Sequence, residues 1–214
     1  MNRPCWWISA GVTLAAFVAS LVVYSSLPAQ VPTHWGFDGK PDSYGPKEWA
    51  AFLVPGLMVV MLGVLALLPI LSPKNFRIEP FRGTYERIVV IVMLMFGYMQ
   101  IAVLAGAARP DFPVGRFLIA GIFLALAGLG NLLGKVQRNF WVGIRVPWTL
   151  ASERVWNDTH RMGAWVFTVG SLIGFLLALF DQTIAAFILL ILIALIPIIY
   201  SFVHYKNLER KGEI

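Results

Sequence analysis

Cysteine, charge and catalytic motifs are what this 214-residue chain has least of, and each shortage closes a class of explanation. Its single cysteine, Cys5, precedes the first apolar run, so no intrachain disulfide forms and no lipoprotein-type cysteine follows such a run. Charged residues make up 13% of the chain against roughly 25% in soluble proteins, while 58% are hydrophobic and the mean hydropathy is +0.75. A soluble globular class is excluded and a membrane protein is implied. No GxSxG, HExxH or paired acid stands at membrane depth, so no catalytic residue, metal centre or cofactor is expected. The apolar runs are almost free of ionisable groups, with Gln100 and Asn131 as polar exceptions, which argues against a proton-coupled pump. The net charge of +6 lies in short loops between apolar runs, where it acts on topology and anionic lipid; nucleic acid is not an expected partner.

What is present is a series of six long apolar runs: Trp6 to Leu27, Ala51 to Leu71, Ile88 to Ala108, Gly115 to Leu133, Met162 to Phe180 and Thr183 to Tyr205. They are continuous rather than alternating, so helices and not barrel strands are the spanning elements. The fold class is all-α, a polytopic membrane protein with six transmembrane helices forming one domain over residues 1–214. The first run exceeds a signal-peptide core of about 7–15 residues and lacks a good cleavage site, so it reads as a retained helix. Pro55, Pro69 and Pro197 are expected to bend or end helices. Thirteen Lys/Arg residues fall on the side of the termini and four on the other, Lys40, Lys47, Arg109 and Arg116, which places both termini in the cytoplasm.

Residues 28–50 then form an outside loop, rich in Gly and Pro with a turn signal at Asp38-Gly39, and are expected to make a compact cap. His34 and Trp35 should pack beneath that turn as a lid. His34 with Asp38 and Asp42 could hold a cation, although a packed histidine with solvated or turn-capping acids is the simpler reading. His160 and His204 fall on the opposite side and cannot join such a site. The spacings Gly130/Gly134 and Gly170/Gly174 fit close helix contact, read here as internal packing rather than dimerisation.

Residues 131–161 hold five Lys/Arg and three of the eight tryptophans between two apolar runs. Ser152, Asp158 and His160 share this stretch, but Ser152 and His160 stand about two helical turns apart and do not form a triad. Ser152 or Thr149 suits a helix cap, and Arg154, Asp158 and Arg161 are spaced for mutual ion pairing. Two readings of the stretch compete. In one it is an interfacial anchor with an aromatic belt. In the other Arg138, Arg145 and Arg161 hold a phosphate or carboxylate beside a groove of Trp141, Trp148 and Trp156, with Gly143 and Pro147-Trp148 aiming Arg145.

Two segments carry a family likeness. LPAQVPTHWGFDGKPDSYGPK resembles the LPxxVPxHWxxxGxxDxxGxK module, and GNLLGKVQRNFWVGIRVPWTLASERVWNDTHRMGAW resembles the signature of the SdpI family of bacterial membrane immunity proteins. The resemblance implies a multi-pass, non-enzymatic protein of the bacterial plasma membrane, named for immunity to a secreted antimicrobial peptide. Its partners would be membrane lipid, a toxin peptide outside and a cytoplasmic regulator inside. The ligand-binding candidates are His34, Trp35 and Asp42 outside and Asn139, Arg145, Trp148, Trp156, His160 and Arg161 inside. The leading expectation is an immunity or signalling protein that meets a peptide or lipid; the alternative is a small transporter or lipid-handling protein.

Overall fold

The computed structural model describes residues 3–36, 41–109 and 111–214. Its elements run α1 (Arg3–Tyr24), β1 (Gln30–Trp35), β2 (Pro41–Pro46), α2 (Lys47–Leu71), α3 (Arg82–Ala108), α4 (Val114–Leu133), α5 (Pro147–Ala151), α6 (Glu153–Leu179) and α7 (Thr183–Arg210). Among the described residues six helices, all but the short α5, are long and apolar enough to cross a membrane. Large aliphatic side chains such as Leu14, Val22, Val60, Leu176, Ile184 and Ile191 are exposed on their outer faces. In water such a surface would be an association site; in a bilayer it is the solvent face.

The helices pack as two triplets. α1, α2 and α3 contact one another, α6 lies between α4 and α7, and α3 against α4 joins the halves. Glycines set the close approaches inside the second triplet. A Cβ on Gly130 would stand 2.7 Å from the Thr168 backbone nitrogen, and one on Gly174 would stand 2.2 Å from the Phe123 ring. The Gly130 and Gly174 spacings are thus used for packing within the chain.

None of the three prolines ends its helix, since α2 runs through Pro55 and Pro69 and α7 through Pro197. A proline lacks the N–H that would bond the carbonyl four residues earlier. In α2 those orphaned carbonyls belong to Ala51 and Leu65, and α3 answers both. Gln100 Nε2 donates to Ala51 O at 3.1 Å, as well as to Ala50 O at 2.9 Å and Ser20 Oγ at 2.8 Å, and Tyr85 Oη donates to Leu65 O. Buried Gln100 is therefore part of how a proline-containing helix is tolerated in an apolar core.

The loop after α1 departs from the all-α expectation by one small sheet. Val31 pairs with Gly45 and Pro32 with Tyr44 in an antiparallel hairpin whose register is irregular between Pro32 and Trp35. Fully buried Val31 anchors it over Leu27, Ala50, Leu104 and Ala107. Asp38 and Gly39, the expected turn, lie outside the described residues. The hairpin, the α3–α4 connection and the α6–α7 turn share one end of the bundle, bridged by Arg116 Nη2 to Asp181 Oδ2 at 3.1 Å. The opposite end gathers residues 72–81, residues 134–152 and the C-terminus, with Trp141 Nε1 donating to Ser72 Oγ at 2.9 Å and an Arg154–Glu213 ion pair.

Candidate functional site

At the termini end, the central stretch folds by satisfying its own polar groups. Asn139 is fully buried. Its Oδ1 accepts from the N–H groups of Trp141 and Val142 at 2.7 and 2.8 Å, and its Nδ2 donates to Gln137 O and Val142 O at 2.7 and 3.0 Å. Four residues on, Gly143 adopts φ +115°, and a Cβ there would stand 2.3 Å from His160 Nε2. That close approach lets the Ile144 N–H donate to His160 Nε2 at 3.0 Å. Because Nε2 accepts, the ring proton sits on Nδ1, which donates to Trp156 O at 2.8 Å. Trp156 stacks on the same ring with centroids 4.0 Å apart and donates its indole N–H to Val136 O at 2.8 Å. Thr149 Oγ1 accepts from Val146 N–H at 3.0 Å and reaches Ile144 O at 2.8 Å, while Ser152 caps α6 by accepting from Val155 N–H.

Asn139, Trp156 and His160 thus meet in one buried knot whose polar atoms are occupied by backbone. The three indoles expected to line one groove go to three places. Trp141 reaches the end of α2, Trp148 bonds Ser201 Oγ and packs edge-on to Phe202 of α7, and Trp156 is interior. The expected ion pairing within α6 is also replaced: Arg154 pairs with Glu213, and Asp158 Oδ2 meets His204 Nε2 at 2.9 Å. Arg138 donates to Leu150 O at 3.0 Å and lies over the Phe76 ring, and Arg145 donates to Phe140 O. Arg145 and Arg161 are exposed, and Arg161 has no hydrogen bond or ion pair among the described residues.

The hairpin end is built differently, around a cavity of about 660 Å³ between the two triplets. Its floor is apolar, with Val54, Met99, Val103, Ile119 and Phe187, and its rim carries two acid–base pairs. His34 Nδ1 lies 2.6 Å from Asp42 Oδ1 with both side chains more than half exposed. The other pair is Arg116 with Asp181. Arg116 Nε is buried without an acceptor, and Asp181 holds φ +62° in the turn between α6 and α7. Trp35 lines this cavity and a second of about 420 Å³ under the hairpin, where its ring approaches Gly106 of α3. His34, Trp35 and Asp42 are therefore together, on the opposite end of the bundle from the other six candidates. No group of three or more His, Cys, Asp or Glu among the described residues is placed to share a metal ion.

The sequence reading counts Arg116 only as a charge and makes no use of Asp181, so it misses their pairing across the cavity. It also missed Glu86, buried in α3 and held by Trp6 Nε1 and Arg82 Nε, each at 3.3 Å. The i,i+4 spacing of Arg82 and Glu86 was the available signal.

Comparison with known proteins gives a consistent picture. Residues 135–201 match the model of the SdpI/YfhL protein family, and residues 11–59, from α1 through the hairpin into α2, match a domain of unknown function, DUF1648. The chain is 28% identical over 94% of its length to the Immunity protein SdpI of Bacillus subtilis, covering 96% of that protein. It is 40% identical over 50 residues to the uncharacterized membrane protein YbgB of the same organism, 23% of this chain and 55% of that one. No solved structure matches. The knot lies within the segment that matches the SdpI/YfhL protein family, and the likeness to the Immunity protein SdpI over 94% of the chain, together with six helices long and apolar enough to span, makes this a multi-pass plasma-membrane protein similar to SdpI.

Proposed function

We propose that the chain is a non-enzymatic membrane immunity protein that protects against a secreted antimicrobial peptide, with both termini cytoplasmic and the hairpin-end cavity facing outward. The observation that carries this is the likeness to an immunity protein over 94% of the chain. The excess of Lys/Arg at the termini end supports the orientation. A cavity with an apolar floor and a polar rim, at the end where a secreted peptide arrives, supports ligand recognition there. His34, Trp35 and Asp42 then belong to the outer recognition surface, while Arg145 and Arg161 are left to meet lipid headgroups or a cytoplasmic regulator.

The test is rescue. Bacillus subtilis cells lacking their own SdpI, challenged with the antimicrobial peptide, should survive when they express this chain and die when they carry empty vector. Equal killing with the chain correctly inserted overturns the reading. The cavity lies between two helix triplets, which favours one second reading, a small transporter or lipid-handling protein. Substrate-dependent flux in proteoliposomes, with no protection in cells, would select it.

A further inference from the structure

We propose that the hairpin-end cavity binds an uncharged, apolar stretch of polypeptide, one of whose backbone carbonyl oxygens accepts a hydrogen bond from Arg116 Nε. The proposal rests on the peptide-immunity reading and adds the site and the chemistry recognised. It starts from an unmet donor. Arg116 stands in the first turn of α4, and its Nη2 is engaged by Asp181 while its Nε is buried with no acceptor. A buried guanidinium N–H left unpaired is costly, so its place on a cavity wall points to an acceptor supplied by a ligand.

Asp181 is the second observation. It occupies the left-handed conformation just past the end of α6, where glycine is the usual residue, and it is the one non-glycine residue with positive φ among the described residues. The strain is tolerated at a position that brings a carboxylate to Arg116, which fixes the guanidinium plane across the α6–α7 turn.

Charge then decides the ligand. Arg116 is already answered by Asp181, and Asp42 by His34, so the rim offers two carboxylates, one fixed cation and one histidine. Among the described residues of the rim no positive charge is left over for a carboxylate or phosphate. The group meeting Nε is accordingly a neutral acceptor, and the floor of Val54, Met99, Val103 and Ile119 takes apolar side chains beside it. A polypeptide carries such a carbonyl at every residue.

The full chain in lipid nanodiscs would be titrated with an apolar peptide, N-acetylated, C-amidated and carrying one diazirine leucine, and then irradiated. Crosslinks are expected on the cavity-lining parts of α3, α4 and α7. Arg116→Lys keeps the charge but removes the Nε donor and should weaken binding about tenfold. Ile119→Trp fills the floor without touching the ion pair and should weaken it comparably. Unchanged affinity in both variants overturns the proposal, as does better competition by decanoate or decyl phosphate, which would make the site anionic-lipid-selective. A wild-type chain that protects cells without binding the peptide removes this site and leaves the immunity reading; one that binds without protecting does the reverse.

Discussion

The two ends of the bundle spend their polar side chains in opposite ways. At the termini end, Asn139, Thr149, Trp156 and His160 bond backbone groups of their own loop and of α6, and Gly143 makes room for that closure. At the hairpin end, His34, Asp42, Arg116 and Asp181 bond one another around a cavity, leaving a donor free. A dense family signature can therefore mark a folding device as readily as a binding surface. The buried, self-satisfied polar cluster specifies one backbone path between α4 and α6, because each member lost leaves another group unpaired in a low-dielectric interior.

The largest effect that sharpens this contrast is expected at Gly143. Gly143→Val combines positive φ with a Cβ 2.3 Å from His160 Nε2, and should cost more than about 3 kcal/mol, read as loss of folded protein by size-exclusion in detergent. His160→Ala comes next. It removes the Ile144 and Trp156 hydrogen bonds and the stacked ring, for about 2–4 kcal/mol in a thermal unfolding assay. Tyr85→Phe leaves the Leu65 carbonyl above Pro69 unanswered and should cost about 1–3 kcal/mol by the same assay. His34→Ala should change stability by less than about 1 kcal/mol, because the pair is exposed, yet abolish protection in cells. A His34→Ala protein that melts much lower than wild type would make the hairpin end a folding element too and erase the contrast. Arg145→Lys should leave stability unchanged; full activity in that variant would leave Arg145 as an anchor, since an ammonium supplies charge but not the guanidinium fork.

Much of the fold could be read from the sequence because hydropathy in a membrane protein is nearly a direct record of the spans. Met162 to Phe180 ends one residue past α6, Thr183 to Tyr205 falls inside α7, and the Asp181-Gln182 turn follows from their separation. Helix starts were less legible. α6 begins at Glu153, well before its apolar run, because its first turns face the knot and so carry Trp156 and His160 rather than aliphatic residues. The hairpin was hidden by Pro32, Pro41 and Pro46, which count against strands in a sequence although an edge hairpin accepts them. Capping of the carbonyls above Pro55 and Pro69 by Gln100 and Tyr85 depends on the α2–α3 register, which no local pattern encodes. The site divided along the same line. The family segments pointed to His34, Trp35 and Asp42, but the partnership of Arg116 with Asp181 exists only after α4, α6 and α7 have packed.

The central claim, that the cavity end faces the outside and the knot faces the cytoplasm, is most directly tested by thiol labelling in a Cys5→Ser background, which removes the chain's only cysteine. Asp42 is exposed at the hairpin end and Gln137 is exposed beside the knot. With an impermeant maleimide on intact cells, Asp42→Cys should label fully and Gln137→Cys should label only after permeabilisation. Labelling of Gln137→Cys but not Asp42→Cys in intact cells would contradict the account, turning the cavity toward the cytoplasm and away from any secreted peptide.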